Sequence, residues 1–180
     1  MSYPPGKTVF RQGSPARAVY HVRSGAVRLV RFGRAGEEIV LHEARAGEMF
    51  AEASLDSTRY HCNAVAIEPS ELLKIPSDAI QTLLDTDRAF AREWIALLAG
   101  QLRTTRTRLE RLSLKSAADR VRHLLVSEGQ AGRFEVTVPG TLKDLARSLG
   151  LTHEALYRTL ARMTREGMIT REGSTIRLIG

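Results

Sequence analysis

Five side chains that can meet a nucleic acid stand within about two helical turns, in Thr152-His153-Glu154-Ala155-Leu156-Tyr157-Arg158. A guanidinium pairs bidentately with guanine O6 and N7, and a carboxylate accepts from cytosine N4. A threonine hydroxyl caps a helix or donates to a phosphate. Glu154 and Arg158 lie four apart, so on a helix they share a face and an ion pair between them would orient the arginine. The plain alternative is a solvated surface bridge. These residues sit inside LKDLARSLGLTHEALYRTLA, residues 142–161, which reads as two short amphipathic helices joined by a tight turn. Ala146 is small where the helices approach, Gly150 can take the positive φ of the turn, and Leu156 plugs the second helix against the first. That spacing predicts a helix-turn-helix, with His153, Glu154, Tyr157 and Arg158 at the end of the second helix that meets the major groove. An ordinary helical hairpin within a larger domain is the competing reading.

The charge distribution favours the first reading. Residues 1–100 hold 12 Lys/Arg and 12 Asp/Glu, whereas residues 101–180 hold 15 and 8. All of the net +7 therefore lies in the part that carries the motif, as a polyanion partner requires. A solubilising surface would not need that segregation. A hydrophobic content of 43% supports a real core. One cysteine, Cys62, excludes an internal disulfide framework and an iron–sulfur cluster held by several cysteines of one chain. No apolar run approaches ~18 residues, and MSYPPGKTVFRQG lacks the apolar stretch of a signal peptide. A soluble cytoplasmic protein with no membrane partner is expected.

Three segments must position the motif. Residues 6–75 read as β, with strands at Val19–Val22, Ala26–Val30, Glu38–Leu41 and Glu71–Ile75 punctuated by glycines 13, 25, 36 and 47. Spacings of 11–12 residues suit a small barrel or roll. Pro76-Ser77-Asp78 changes the period, with Ser77 expected to cap a short helix near 77–84. From about Arg88 a long helix follows, in which Ile95, Leu98, Leu102, Thr105, Leu109 and Leu112 recur at spacings 3, 4, 3, 4, 3. That is an a/d seam between charged flanks, suited to pairing with one other helix; packing on the chain's own barrel is the alternative. Ser113–Lys115 reads as a hinge. Beyond it come a helix at 116–128, a strand at Phe134–Val138, a capping box opening at Thr141, a C-cap at Gly167, and a hairpin around Glu172-Gly173-Ser174 that makes a wing. The expected organisation is α+β: a β-roll at 1–76, helices at 77–114 and a winged helix-turn-helix at 115–180.

This order resembles the cyclic-AMP receptor protein (Crp/Fnr) family of bacterial transcription regulators over nearly the whole chain. The matching residues are Gly6-Lys7-Thr8-Val9-Phe10-Arg11-Gln12-Gly13, Val22-x-x-Gly25-x-Val27, Gly47-Glu48-Met49-Phe50-Ala51-Glu52 and, most specifically, Gly150–Arg158. The helix that usually precedes the first of these is not found. The resemblance implies a cyclic-nucleotide-binding-like jelly roll and a homodimer joined along the long helices. Two recognition helices would then face a two-fold operator with half-sites about 34 Å apart, and RNA polymerase would be a partner. It makes His153, Glu154 and Arg158 the base readers. Thr152, Lys143, Arg147, Tyr157, Arg162, Arg165 and Arg171 are then the candidates for the DNA backbone.

The resemblance also locates an effector pocket, at Glu52, Ala53, Ser54, Tyr60, His61 and, on the long helix, Thr105. Here the chain departs from the nucleotide-binding members. Ala51 replaces a glycine, Tyr60-His61 replace the Arg-Ser pair that holds the cyclic phosphate, Arg59 is one place out of register, and Arg106 follows Thr105 where a small hydroxyl is usual. A semi-buried anionic phosphate needs a charged partner. An effector other than cyclic AMP, or none, is expected, with a cyclic-nucleotide-responsive regulator as the alternative. His21, His42, His61 and Cys62 are read as packing residues rather than as ligands of a metal or haem, so no cofactor and no metal are expected.

Other classes fit less well. A cupin-type enzyme would need a tight pair such as His-x-His, which does not occur, and there is no glycine-rich phosphate loop or nucleophile elbow. No enzyme is expected. A small-molecule or redox sensor that pairs helices without reading DNA would not need the recognition-helix chemistry.

Overall fold

The structure, a computed structural model, describes residues 1–129, 133–138 and 140–179. Its first strands are β1 (Ser2–Tyr3), β2 (Thr8–Phe10), β3 (Ala18–Ser24), β4 (Ala26–Phe32) and β5 (Glu38–Arg45). Then come β6 (Met49–Phe50), a 3₁₀ turn at Glu52–Ser54, β7 (Asn63–Ala66) and β8 (Ser70–Pro76). They form two antiparallel four-stranded sheets, ordered β1-β8-β3-β6 and β2-β7-β4-β5. The inward residues of β3 and β4 alternate less than those of a one-sided sheet: Ala18–Tyr20 and Ala26–Val30 are all buried. Phe10, Tyr20, Phe50 and Tyr60 stack at the centre, with Phe10 and Tyr60 ring centroids 3.7 Å apart.

Two helices follow, α1 (Ser77–Thr86) and α2 (Arg88–Ser113). Ser77 does not cap α1. Its N–H donates to the Arg17 carbonyl, continuing the β3–β8 pairing, so the helix starts directly after Pro76. Ile80 of α1 and Trp94 of α2 pack with Val19 and Leu55.

The rest comprises α3 (Ala117–Glu128), β9 (Glu135–Thr137), α4 (Leu142–Ser148), α5 (His153–Arg165), β10 (Ile169–Glu172) and β11 (Thr175–Leu178). The third sheet is ordered β10-β11-β9. The strand expected at Phe134–Val138 is shorter because Phe134 adopts φ 47, outside the β region. Val121, Leu125, Leu145, Leu149, Leu156, Leu160, Met163, Ile169 and Ile176 form the core beneath these elements. Backbone contacts divide the chain into two compact units, Met1–Ile95 and Ala96–Gly180, with the boundary inside α2. Among the described residues, no helix is long and apolar enough to cross a membrane.

Candidate nucleic-acid interface

Local chemistry fixes both helices of the motif. Thr141 accepts from the Asp144 N–H while the Asp144 carboxylate accepts from the Thr141 N–H, the reciprocal capping box that opens α4. At its other end the Gly150 N–H donates to Arg147 and the Leu151 N–H to Ala146, which satisfies carbonyls the helix leaves free. Gly150 has φ +61, a left-handed conformation that strains other residues and that glycine adopts freely, and Leu112 Cδ2 packs close beside it. Thr152 caps α5 through its Oγ1, which accepts from Ala155 N–H at 3.1 Å. Gly167 ends α5 in the same way as Gly150 ends α4, with Met168 N–H reaching the Met163 carbonyl.

α5 therefore shows two faces. Leu156, Thr159, Leu160 and Met163 are buried, whereas His153, Glu154, Tyr157, Arg158, Arg162 and Arg165 are exposed. Tyr157 is 58% exposed. Arg158 and Glu154 lie 3.9 Å apart with side chains 73% and 81% exposed, a weak bridge that is easily exchanged for a base. Lys143 is exposed on α4, and Arg147 is also exposed, 3.5 Å from Asp144. Arg171 projects from the wing, beside a 270 Å³ cleft shared with Gly140, Leu142 and Ser174. The helix-turn-helix and wing thus carry all the candidate base and backbone groups on exposed positions of the second unit.

Not all of the positive surplus is available to a polyanion. Arg177 is held by Glu135 at 2.6 Å, and Arg111 is buried. On α2 the proposed seam is mostly bare: Ile95, Leu98, Leu102 and Leu109 are 66%, 38%, 51% and 65% exposed, and Thr105 is exposed with them. Leu112 differs, being half-buried against the Gly150 turn.

The roll's candidate residues separate. Tyr60 points into the core, where its hydroxyl donates to the Ala18 carbonyl at 2.7 Å and accepts from the Ala18 N–H. It is a packing residue with both hydrogen-bond roles filled. Ser54 is 2% exposed and its Oγ lies 2.9 Å from His61 Nδ1. Ala51 holds the left-handed φ of 71 where the resemblance expects glycine, next to the half-buried Glu52; Ala53 faces solvent. The sequence positions alone leave no cation at this spot, but the fold supplies one. β4 pairs with β7, and Arg31 Nε donates to the His61 carbonyl at 2.8 Å. Among the described residues, no three His, Cys, Asp or Glu converge as a metal site. Burial pushes the Cys62 thiol pKa up, which keeps it unreactive.

Burial first, and then Arg31, hold the His61 pKa below its ordinary 6.5. The unfolded chain therefore binds more protons at this residue than the folded one. Its share of stability is fully present above about 6.5 and is lost as pH falls through the window below that value. His61→Gln is expected to flatten the pH dependence of the thermal unfolding midpoint in that window. Identical slopes for the two proteins would contradict the assignment.

Two family descriptions match the chain: "Cyclic nucleotide-binding domain" over residues 1–87 and "Crp-like helix-turn-helix domain" over residues 119–179. The chain is 34% identical over 171 residues to the cyclic AMP receptor protein of Thermus thermophilus, covering 93% of this chain and 77% of that one. It is 26% identical over 182 residues to the transcriptional activator protein anr of Pseudomonas aeruginosa, covering 97% and 74%. Among solved structures, FixK2 from Bradyrhizobium japonicum superposes with a TM-score of 0.79 at 26% identity, covering 100% of this chain and 91% of that one.

Proposed function

Because the chain belongs to the Crp/Fnr family of DNA-binding transcription regulators, we propose that it acts as a homodimer on a two-fold operator. In this reading α2 pairs with its mate along Ile95, Leu98, Leu102, Thr105, Leu109 and Leu112, and each α5 enters the major groove. His153, Glu154 and Arg158 read base edges. Thr152, Tyr157, Lys143, Arg147, Arg162, Arg165 and Arg171 hold the backbone, and the promoter-bound dimer contacts RNA polymerase in the cytoplasm.

The observation that carries this reading is the division of α5. Its apolar face is sealed in the core, while its other face offers an imidazole, a carboxylate, a phenol and a guanidinium to solvent. Arg158→Ala is expected to cost about 1–3 kcal/mol of affinity for a preferred duplex and to leave binding to scrambled duplex nearly unchanged. Gel shifts at two salt concentrations, against a duplex selected from a random pool, test this. Equal losses on both duplexes would refute base reading by Arg158, because a contact to phosphate is the same on both.

The roll is proposed to sense a ligand other than cyclic AMP, or to work without one. Supporting this, Tyr60 is committed to the core and His61 to Ser54. One observation favours the second reading, a cyclic-nucleotide response: Arg31 brings a guanidinium to His61, just before β7, and an anionic ligand needs such a partner. Gel shifts with and without cyclic AMP separate the two.

A further inference from the structure

Arg111 and Arg120 contribute to the positive surplus, yet their hydrogen bonds are made to the protein itself. Arg111, in the last turn of α2, has a side chain 3% exposed. Its Nε donates to His123 Nδ1 at 3.4 Å, and one Nη donates to Ser127 Oγ at 3.1 Å and to the Glu128 carboxylate. All three partners lie on the second half of α3, so the guanidinium also faces the carbonyl end of that helix, where a cation is favoured. A guanidinium only donates, so His123 Nδ1 accepts and the imidazole proton sits on Nε2. That nitrogen lies 3.4 Å from the Glu110 carboxylate, back on α2. The α2–α3 junction is thus crossed by two side chains, one from each helix.

Arg120 makes a second tie. From the first turn of α3 its Nε donates to the Leu114 carbonyl at 2.9 Å, in the link between α2 and α3. Its Nη1 donates to the carbonyls of Leu149 and Gly150 at 3.0 and 3.1 Å, the oxygens left where α4 ends. Leu112 of α2 fills the space beside Gly150. The segment that reads as a hinge in the sequence, Ser113–Lys115, begins inside α2; Arg111 bridges across it to α3 and Arg120 holds its Leu114 carbonyl. Backbone contacts likewise place α2 from Ala96 onward with the helix-turn-helix.

We infer that Arg111 and Arg120 are positioning residues that fix the direction in which α2 delivers α5, making the end of α2 and the helix-turn-helix one rigid piece. This rests on the DNA-reading role of α5 proposed above. A two-fold site spaced at about one DNA turn demands a set angle between dimer helix and reading helix, whereas non-specific binding demands only charge. Loosening the junction therefore weakens specific binding selectively.

The full chain is compared with Arg111→Leu, Arg120→Leu, Arg111→Lys and Glu128→Ala. Glu128, half exposed, is a partner whose loss leaves the core intact. The probes are a duplex selected from a random pool by the unaltered protein and a scrambled duplex of equal length. Hydrogen exchange without DNA is followed at the amides of residues 112–116 and 149–151. Each leucine variant is expected to lose about 10-fold or more on the selected duplex and less than about 3-fold on the scrambled one. Exchange at the junction should quicken while that in β3 and β4 stays unchanged. Glu128→Ala should lose about 3-fold selectively, and Arg111→Lys should recover part of the loss. Equal losses on both duplexes, or unaltered affinity and exchange, overturn the inference. Should a leucine variant unfold, Glu128→Ala decides by the same criteria. If the pool yields no preferred duplex, the base-reading proposal fails instead. The clamp is then judged by exchange alone, which supports it if the junction quickens and refutes it if not.

Discussion

Leu102→Asp is expected to yield a folded monomer that has lost about 100-fold or more of its affinity for a selected two-fold duplex. Leu102 stands in the middle of the α2 stripe, 51% exposed, with Leu98 before it and Leu109 after it also bare. Pairing α2 with a second copy would cover these side chains, and each leucine or isoleucine so buried contributes about 1.5–3 kcal/mol. The spacing of 3, 4, 3, 4, 3 keeps one seam on a left-handed pair of helices, and the charged flanks leave little else to bury. In the proposed dimer an aspartate at the centre would meet its own symmetry mate, so the substitution would remove apolar area and add like charge at one point. Because the residue is half exposed within the chain, the fold itself loses little. Sedimentation equilibrium should then report one chain, and thermal unfolding should be close to that of the unaltered protein. Affinity falls because two half-site contacts no longer act together. A dimer that survives Leu102→Asp, or a monomer that binds as tightly as before, would remove the seam from the proposal.

The second unit was more legible in the sequence than the first, for a physical reason. The helix-turn-helix is built from local rules. Thr141 and Thr152 cap within three residues, and Gly150 and Gly167 supply positive φ at the ends of their own helices. None of these needs knowledge of a distant partner. In the roll the decisive contacts are long-range. Arg31 meets the His61 carbonyl only because β4 and β7 pair with Val30 opposite Asn63, a register that the sequence does not declare. Tyr60 reads as a replaced ligand residue, yet its phenol reaches back 42 residues to Ala18 and its ring stacks on Phe10. Short strands such as Met49–Phe50 and Asn63–Ala66 carry too little pattern to be picked out singly, and exist through their neighbours. Arg111 was hidden for another reason. A basic residue on a charged helix is expected in solvent, and only the approach of α3 buries it.

The fold of the reading unit should be as sensitive to Leu156 as its specificity is to Arg158. Leu156 is 0% exposed and lies among Leu145, Ala146, Leu149, Leu160 and Met163, where α5 crosses α4. Leu156→Ala leaves a cavity that close-packed neighbours fill only in part, so a loss of about 2–5 kcal/mol is expected. Small domains have only about 5–15 kcal/mol in all, so the second unit should lose much of its margin. The only tryptophan gives a way to localise the loss. Trp94 is 6% exposed beside Val19, Leu55 and Ile80, so its fluorescence reports on the first unit, whereas α2 from Ala96 onward together with α3, α4 and α5, all in the second unit, dominates helical circular dichroism. Leu156→Ala should lower the dichroism transition by several degrees while the fluorescence transition moves little. A destabilisation under about 1 kcal/mol would mean that α5 is not seated as described. DNA binding then separates the two residues mechanistically. Leu156→Ala should lose selected and scrambled duplex together as the unit unfolds, and cooling should restore both. Arg158→Ala should lose only the selected duplex, with its unfolding curve intact, and no temperature should restore it. That contrast sets the packed face of α5, which makes a helix, against the exposed face, which gives that helix something to read.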